Sequence, residues 1–392
     1  MKYLVFLAIV GLLPRHVQGR NQSLVDELYK TLLNGQNKNI RPTVNHSYPT
    51  EVRVSFELLE ILDVDEFMGK LSISGVLIMA WNDHRMRWNP LDYGGVDTIY
   101  VSSSETWKPD LVLTEPVEKS ISLGHKQTWL KVAYTSDGNA TFAPFDVIPS
   151  SCNIKITKYP FDSQICELNF HPWLITKHDI VLNTDATQYK EVELQQLWES
   201  FANDNAEWRL VGTKSATFLV KNLYSYYRLN LDLIRRPLFV IVNVFIPIYF
   251  LSYLNVLSFK LPAIPERVTF AMTILLAFVF FMTTVNDNMP RNSNPIPLIC
   301  YLLMGNLVIS TFNVLMTVFN LYIKDRPDGK TIPRLVAFVS RTKIKAGTPL
   351  STSQWQEVSA KLDRNCLLIS KVWLIFSSLV FSGFLVYWIF FT

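Results

Sequence analysis

The sequence predicts a β-sandwich followed by four membrane-crossing helices, and three observations carry that prediction. Runs free of Lys, Arg, Asp and Glu occupy 237–259, 268–286, 295–323 and 372–392, each near the roughly 20 residues that cross a bilayer as helix. From 51 to 236, short alternating segments such as 52–58 and 71–79 are parted by Asn, Asp, Gly and Pro, which is the rhythm of a sandwich. Residues 1–19 hold Lys2, an apolar core and Val17-Gln18-Gly19, as a cleaved secretory signal does.

Composition leaves room for both parts, since 49% of the 392 residues are hydrophobic and 18% charged. The sequons at Asn21, Asn45 and Asn139 all lie on the side that the signal sends outward, where glycosylation occurs. Cys152 and Cys166 lie there too, so an oxidising compartment favours a disulfide, whereas Cys300 and Cys366 fall in or beside apolar runs and read as free. Leu24, Leu28 and Leu32, with Asp26 in the first turn, predict a short amphipathic helix over 23–33.

Backbone groups in hydrocarbon must bond within their own segment, so the apolar runs are expected as helices at 237–259, 266–287, 295–323 and 366–392, the first kinked at Pro247. Residues 324–364 hold nine Lys or Arg against four Asp or Glu, which places the 324–365 loop in the cytoplasm and both chain ends outside a plasma membrane. Within that loop, disorder is expected only beyond Lys330, with helix over 351–364. Residues 20–236 carry a net charge of −5, a bias that enriches cations near them. The basic stretch Arg341-Thr-Lys-Ile-Lys is short, and reads as a cytoplasmic flank or lipid-headgroup contact rather than a nucleic-acid site. No nucleotide loop, metal cluster or catalytic triad is legible. His171 and His178 lack a close third ligand for zinc.

Two cysteines, Cys152 and Cys166, enclose the tip Tyr159-Pro160-Phe161-Asp162 ahead of the four spans. Trp107-Lys108-Pro109-Asp110, Trp81 with Trp88-Asn89-Pro90, Glu207-Trp208, Arg235-Arg236, Pro290 and the turn from Asp325 to Gly329 accompany them. With these motifs the chain resembles the Cys-loop pentameric ligand-gated ion channels, nearest in kind to the nicotinic and serotonin type 3 cation channels. That resemblance implies a Cys152–Cys166 disulfide, assembly with four further subunits as a homo- or hetero-pentamer around a central pore, a small-molecule agonist of unknown identity, permeant cations and a lipid surround. It implies no enzyme activity and no cofactor.

In the second span, Thr269, Thr273, Leu276, Phe280, Thr283 and Asp287 recur at spacings of 4, 3, 4, 3 and 4 after Glu266-Arg267, so they share one helix face. Repeated around an axis, as the family implies, they would stack hydroxyl rings, an apolar girdle and carboxylate rings, an order suited to a gated cation path. Two plainer readings stand beside it: the threonines satisfy helix backbone or a neighbouring helix, and Glu266 pairs with Arg267. Pro265 ahead of Glu266, in a shortened linker, departs from the cation-channel pattern.

The family's agonist lies between subunits in an aromatic cage that holds a cationic amine over ring faces. Trp173 and Tyr224 match two cage positions, Phe218 and Tyr226 are candidate substitutes, and Thr141 or Ala143 face the site from another loop. Thr114 and Val76 stand where the family has a tyrosine and a tryptophan, and the adjacent cysteine pair is absent. For coupling to the pore, the resemblance assigns Asp65 and Glu66 of the Asp63–Glu66 turn, Tyr159, Pro160, Phe161, Asp162, Arg236 and Pro290. The leading expectation is a cation-selective, extracellular-ligand-gated channel subunit. The alternative is a non-conducting or obligately heteromeric subunit with a degenerate agonist site.

Overall fold

The computed structural model describes residues 22–117, 122–124, 127, 129–184, 189–191, 205–287, 296–340 and 347–391. The expected signal segment, Asn21, Pro290 and the Arg341–Lys345 stretch lie outside them. Helix α1, Gln22–Leu33, seats Leu28 and Leu32 in the sandwich core, and its early start puts Asp26 beyond the first turn.

The strands are β1 Thr50–Asp65, β2 Lys70–Arg87, β3 Thr98–Ser102, β4 Leu111–Leu113, β5 Lys131–Thr135 and β6 Asp137–Phe142. There follow β7 Phe145–Ser151, β8 Ser163–Pro172, β9 Ile180–Asn183, β10 Tyr189–Glu191, β11 Trp208–Val220 and β12 Tyr224–Arg235. Strands β1, β2, β3, β5, β6, β7 and β9 form one sheet, and β4, β8, β10, β11 and β12 form the other. Alternation decides which side chains fill the space between them: β12 buries Ser225, Tyr227, Leu229, Leu231 and Leu233, every second residue. Trp81 meets Trp107 edge-on at 5.5 Å in that core, and a Cys152–Cys166 disulfide ties the end of β7 to β8.

Among the described residues, four helices are long and apolar enough to cross a membrane. The first comprises α2 Leu238–Val240, a π-helical turn over Ile241–Phe245, and α3 Ile246–Leu257. The expected kink at Pro247 takes this form because proline has no N–H for the preceding turn and its ring needs the wider spacing. Next come α4 Pro265–Asp287 and α5 Leu298–Lys324, the latter starting after Pro297 rather than at 295. After the short α6, Arg334–Val339, helix α7 runs unbroken over Thr352–Phe391. The 351–364 segment and the fourth span are thus one helix. The expected disorder beyond Lys330 gives way, in the described residues, to a Thr331–Pro349 bridge and to Ile332, Val336 and Leu350 packed on Trp355, Val358 and Leu362.

Helices α2–α3 leave the sandwich directly from β12, and α5 begins there too, since Leu298 N–H donates to Thr157 O at 3.1 Å. Helix α7 runs the other way and brings Phe381 within 6.1 Å of Phe161. Its seat on α5 is a notch at Gly305, where an added Cβ would lie 2.2 Å from the Trp373 ring. The indole N–H beside it donates to Asn306 Oδ1 at 3.0 Å. Gly305→Ala is therefore expected to cost about 1–3 kcal/mol through overpacking, read as a lower thermal midpoint of the purified protein. An unchanged midpoint would show that the indole has another seat.

Candidate functional site

Where β12 hands over to α2, Arg235 is buried. Its Nε donates to Asp162 Oδ1 at 2.8 Å and its Nη1 lies 2.6 Å from Glu66 Oε1. The guanidinium also lies 4.2 Å from the centre of the Trp208 ring and 4.9 Å from that of Tyr159. Burial alone would lower the Arg235 pKa, but the hydrogen bond and charge of Asp162, with the charge of Glu66, outweigh it and raise the pKa. The expected hub was Arg236. The hub is Arg235, because the inward alternation of Leu229, Leu231 and Leu233 continues to position 235. Arg236 is half-buried and its N–H donates to Glu207 O. The Asp65 carboxylate accepts from Met68 N–H within the β1–β2 turn. Beneath the Tyr159-Pro160-Phe161-Asp162 tip, Phe161 and Phe245 both pack against Phe381.

On the five-stranded sheet a second cluster gathers. His171 stacks on Tyr226 at 4.6 Å, Tyr226 on Phe218 at 5.5 Å, and Trp173 lies 5.8 Å from His171 with most of its surface exposed. Thr114 donates to Asn169 O and meets His171 Nδ1 at 3.1 Å. Arg228 sits over Phe218 at 4.6 Å, with Glu167 at 3.2 Å and Asn169 Oδ1 at 2.8 Å. Tyr224 is half-buried at the start of β12, beside the β11–β12 turn. Phe218, Tyr224 and Tyr226 thus lie in one sheet, with Thr114 and Trp173 just past the ends of its strands β4 and β8. Val76 belongs to the other, in register with Phe145, as do Thr141 on β6 and Ala143 just after it, both exposed. His171 lies near the end of β8 and Trp173 just past it, in the turn that follows. Burial lowers the His171 pKa. Among the described residues no group of three His, Cys, Asp or Glu is placed to hold a metal ion.

The third feature is α4. Glu266, Thr269, Thr273, Leu276, Phe280 and Thr283 are exposed, while Arg267, Ala271, Ile274, Phe278 and Val285 are buried against the other helices. The Asp287 side chain lies outside the description. Thr273 and Thr283 hydroxyls donate back to Thr269 O and Phe280 O, leaving their lone pairs facing outward. Arg267 does not turn to Glu266. It forms a two-pronged pair with Asp363 of α7, at 2.8 and 2.6 Å. The remaining sequons, Asn45 and Asn139, are exposed.

Removing Arg235 would strand two carboxylates. Arg235→Gln is expected to cost about 3–5 kcal/mol, more than Arg236→Gln, with the comparison read from thermal unfolding of the two purified variants. His171 binds its proton less readily folded than unfolded, so stability should fall as pH drops from 7 through the ordinary histidine range near ~6.5. His171→Phe should remove that part of the pH slope in a melting series.

Residues 25–237 match the family model described as the neurotransmitter-gated ion-channel ligand binding domain, and residues 244–351 match the neurotransmitter-gated ion-channel transmembrane region. The human neuronal acetylcholine receptor subunit alpha-6 is 30% identical over 321 residues, which is 80% of this chain and 63% of the relative. For human subunit alpha-3 the figures are 31% over 343 residues, 86% and 65%, and for human alpha-2, 31% over 327 residues, 81% and 59%. The chain thus spans less than two thirds of the length of these relatives. With one family model matching more than half of its residues and a second adjoining it, the chain belongs to the neurotransmitter-gated ion channels.

Proposed function

We propose that the chain is a subunit of a pentameric, cation-permeable channel opened by an extracellular small molecule. The observation that carries this is the α4 face: Glu266, Thr269, Thr273, Leu276, Phe280 and Thr283 are turned away from the subunit's own helices. Five such faces around an axis would leave hydroxyls to replace part of an ion's hydration and an apolar girdle to stop conduction by dewetting. Arg267 is engaged by Asp363, so the carboxylate of Glu266 keeps its field for the permeant ion. Asp287 would close the stripe at its other end.

In this reading the sandwich, residues 20–236, faces outside with glycans at Asn45 and Asn139, the 324–365 segment faces the cytoplasm, and both termini are outside the plasma membrane. The agonist would sit between subunits, with Trp173, Tyr224, Tyr226, Phe218 and Thr114 from one copy and Val76 from the next. Gating is a population shift, carried from that site through Glu66, Asp162, Arg235 and the Tyr159–Pro160–Phe161 tip to the α4–α5 connection at Pro290. A second reading, an obligately heteromeric or non-conducting subunit, is favoured by the aliphatic Val76 and the small Thr114 at two cage positions.

Expression of the chain alone in oocytes under voltage clamp tests the reading, with surface labelling in parallel. The expected result is a spontaneous or ligand-evoked current whose reversal potential follows sodium and not chloride, with Glu266→Gln weakening that preference. Surface-expressed protein that passes no current under a broad ligand panel would favour the second reading, and a chloride-following reversal would overturn the proposed selectivity.

A further inference from the structure

Helix α5 carries a polar stripe that faces away from lipid. Asn306, Ser310, Asn313, Thr317 and Asn320 recur at spacings of 4, 3, 4 and 3, and all five are buried. Part of this stripe is paired. Ser252 of α3 donates to Asn306 Oδ1 at 3.1 Å, Ser370 of α7 to Asn313 Oδ1 at 3.0 Å, and Thr317 to Asn313 O at 2.7 Å. The remainder is not. Asn255 Oδ1, Ser310 Oγ, Asn313 Nδ2, both amide atoms of Asn320 and Arg267 Nε are buried and reach no partner among the described residues.

Helix directions place these atoms in two groups. Helices α3 and α5 both start at the sandwich, so one turn beyond the Ser252–Asn306 pair brings Asn255 level with Ser310. Helix α7 is antiparallel to α5, so seven residues beyond the Ser370–Asn313 pair brings Asn320 level with Asp363, which holds Arg267. Turning the amides over does not help. At Asn320 both atoms are orphaned, and at Asn313 a flip only exchanges which one is. Hydrocarbon offers nothing in exchange, so each such group is destabilising if left unmet.

The orphaned set fixes the chemistry of what fills it. Asn313 Nδ2, Asn320 Nδ2 and Arg267 Nε donate, whereas Asn255 Oδ1 and Asn320 Oδ1 accept. A metal or ammonium cation would be repelled by the donors and an anion by the acceptors. A molecule that both donates and accepts meets all of them. We propose that the seam between α3, α5 and α7 binds a file of ordered water molecules, one group at Asn255, Ser310 and Asn313 and another bridging Asn320 to Arg267. Such water takes two to four polar partners at each position. It gives α7 hydrogen bonds on α5 that re-form after a small displacement, which direct side-chain pairs would not.

The test uses the full chain in lipid nanodiscs with Cys300→Ser and Cys366→Ser as background, and methyl methanethiosulfonate as the probe. Only a thiolate reacts, and a thiolate forms only where water reaches it. Ser310→Cys and Asn313→Cys are expected to be modified at least ~10-fold faster than Leu303→Cys, which lies in the dry apolar cluster. Rates no faster than that control would overturn the proposal. Should the variants fail to assemble, native Cys366 decides in the unaltered chain, since it is buried on α7 level with Thr317. Modification within ~100-fold of the detergent-denatured rate supports the water file, and anything slower overturns it. Mass spectrometry reads both, so the outcome is independent of conduction.

Discussion

The arrangement of this chain depends on how Arg235 is held. Its guanidinium draws together segments far apart in sequence: the β1–β2 turn through Glu66, the disulfide loop through Tyr159 and Asp162, and β11 through Trp208. A buried cation persists only when carboxylates and ring faces replace the water it has lost. Two residues later Pro237 caps α2, so the direction in which the first spanning helix leaves the sandwich is set by a side chain locked among three sandwich elements. The loop that contacts this arginine also presents Phe161 to the far end of α7. First and last spanning helices therefore meet the sandwich at one joint.

Much of this was legible in the sequence, and the misses have specific causes. The period-two segments gave the sandwich, and the charge-free runs gave four helices, because those patterns follow directly from which face meets water or lipid. Arg235 rather than Arg236 keeps the phase of that rule, for the inward positions of β12 are odd-numbered through Leu233, and Ile234 and Arg235 are both buried at its end. The length of α7 was hidden for another reason. Its first half is amphipathic rather than apolar, with Trp355, Val358 and Leu362 spaced for one face, so the charge-free run marks only its second half. The nearness of His171 to Trp173 was not legible, because the chain leaves β8 after Pro172 and the turn that follows carries the indole. Asp65 and Glu66 are adjacent carboxylates, and no sequence pattern told the turn-holding one from the ion-pairing one.

Adjacent residues at the start of α4 show how local geometry separates roles. Glu266 and Arg267 are neighbours in sequence, yet one helical step of about 100° turns them to different surroundings. Arg267 goes inward to Asp363 and over the Phe259 ring at 4.9 Å, and Glu266 goes outward with the threonines. The pair reads as self-neutralising in sequence only because the distant carboxylate on α7 is invisible there.

The π-helical turn over Ile241–Phe245 also bears on how the chain tolerates change in length. It holds one residue more than a regular turn, so a single deletion within it would leave an intact α-helix rather than a broken one. Phase would be kept as well, because the wide turn is what absorbs the extra residue and the segments on either side stay aligned once it is gone. Ser252 and Asn255 would still face the bundle interior, so this turn is where the first spanning helix can lose a residue without its inner face being rewritten.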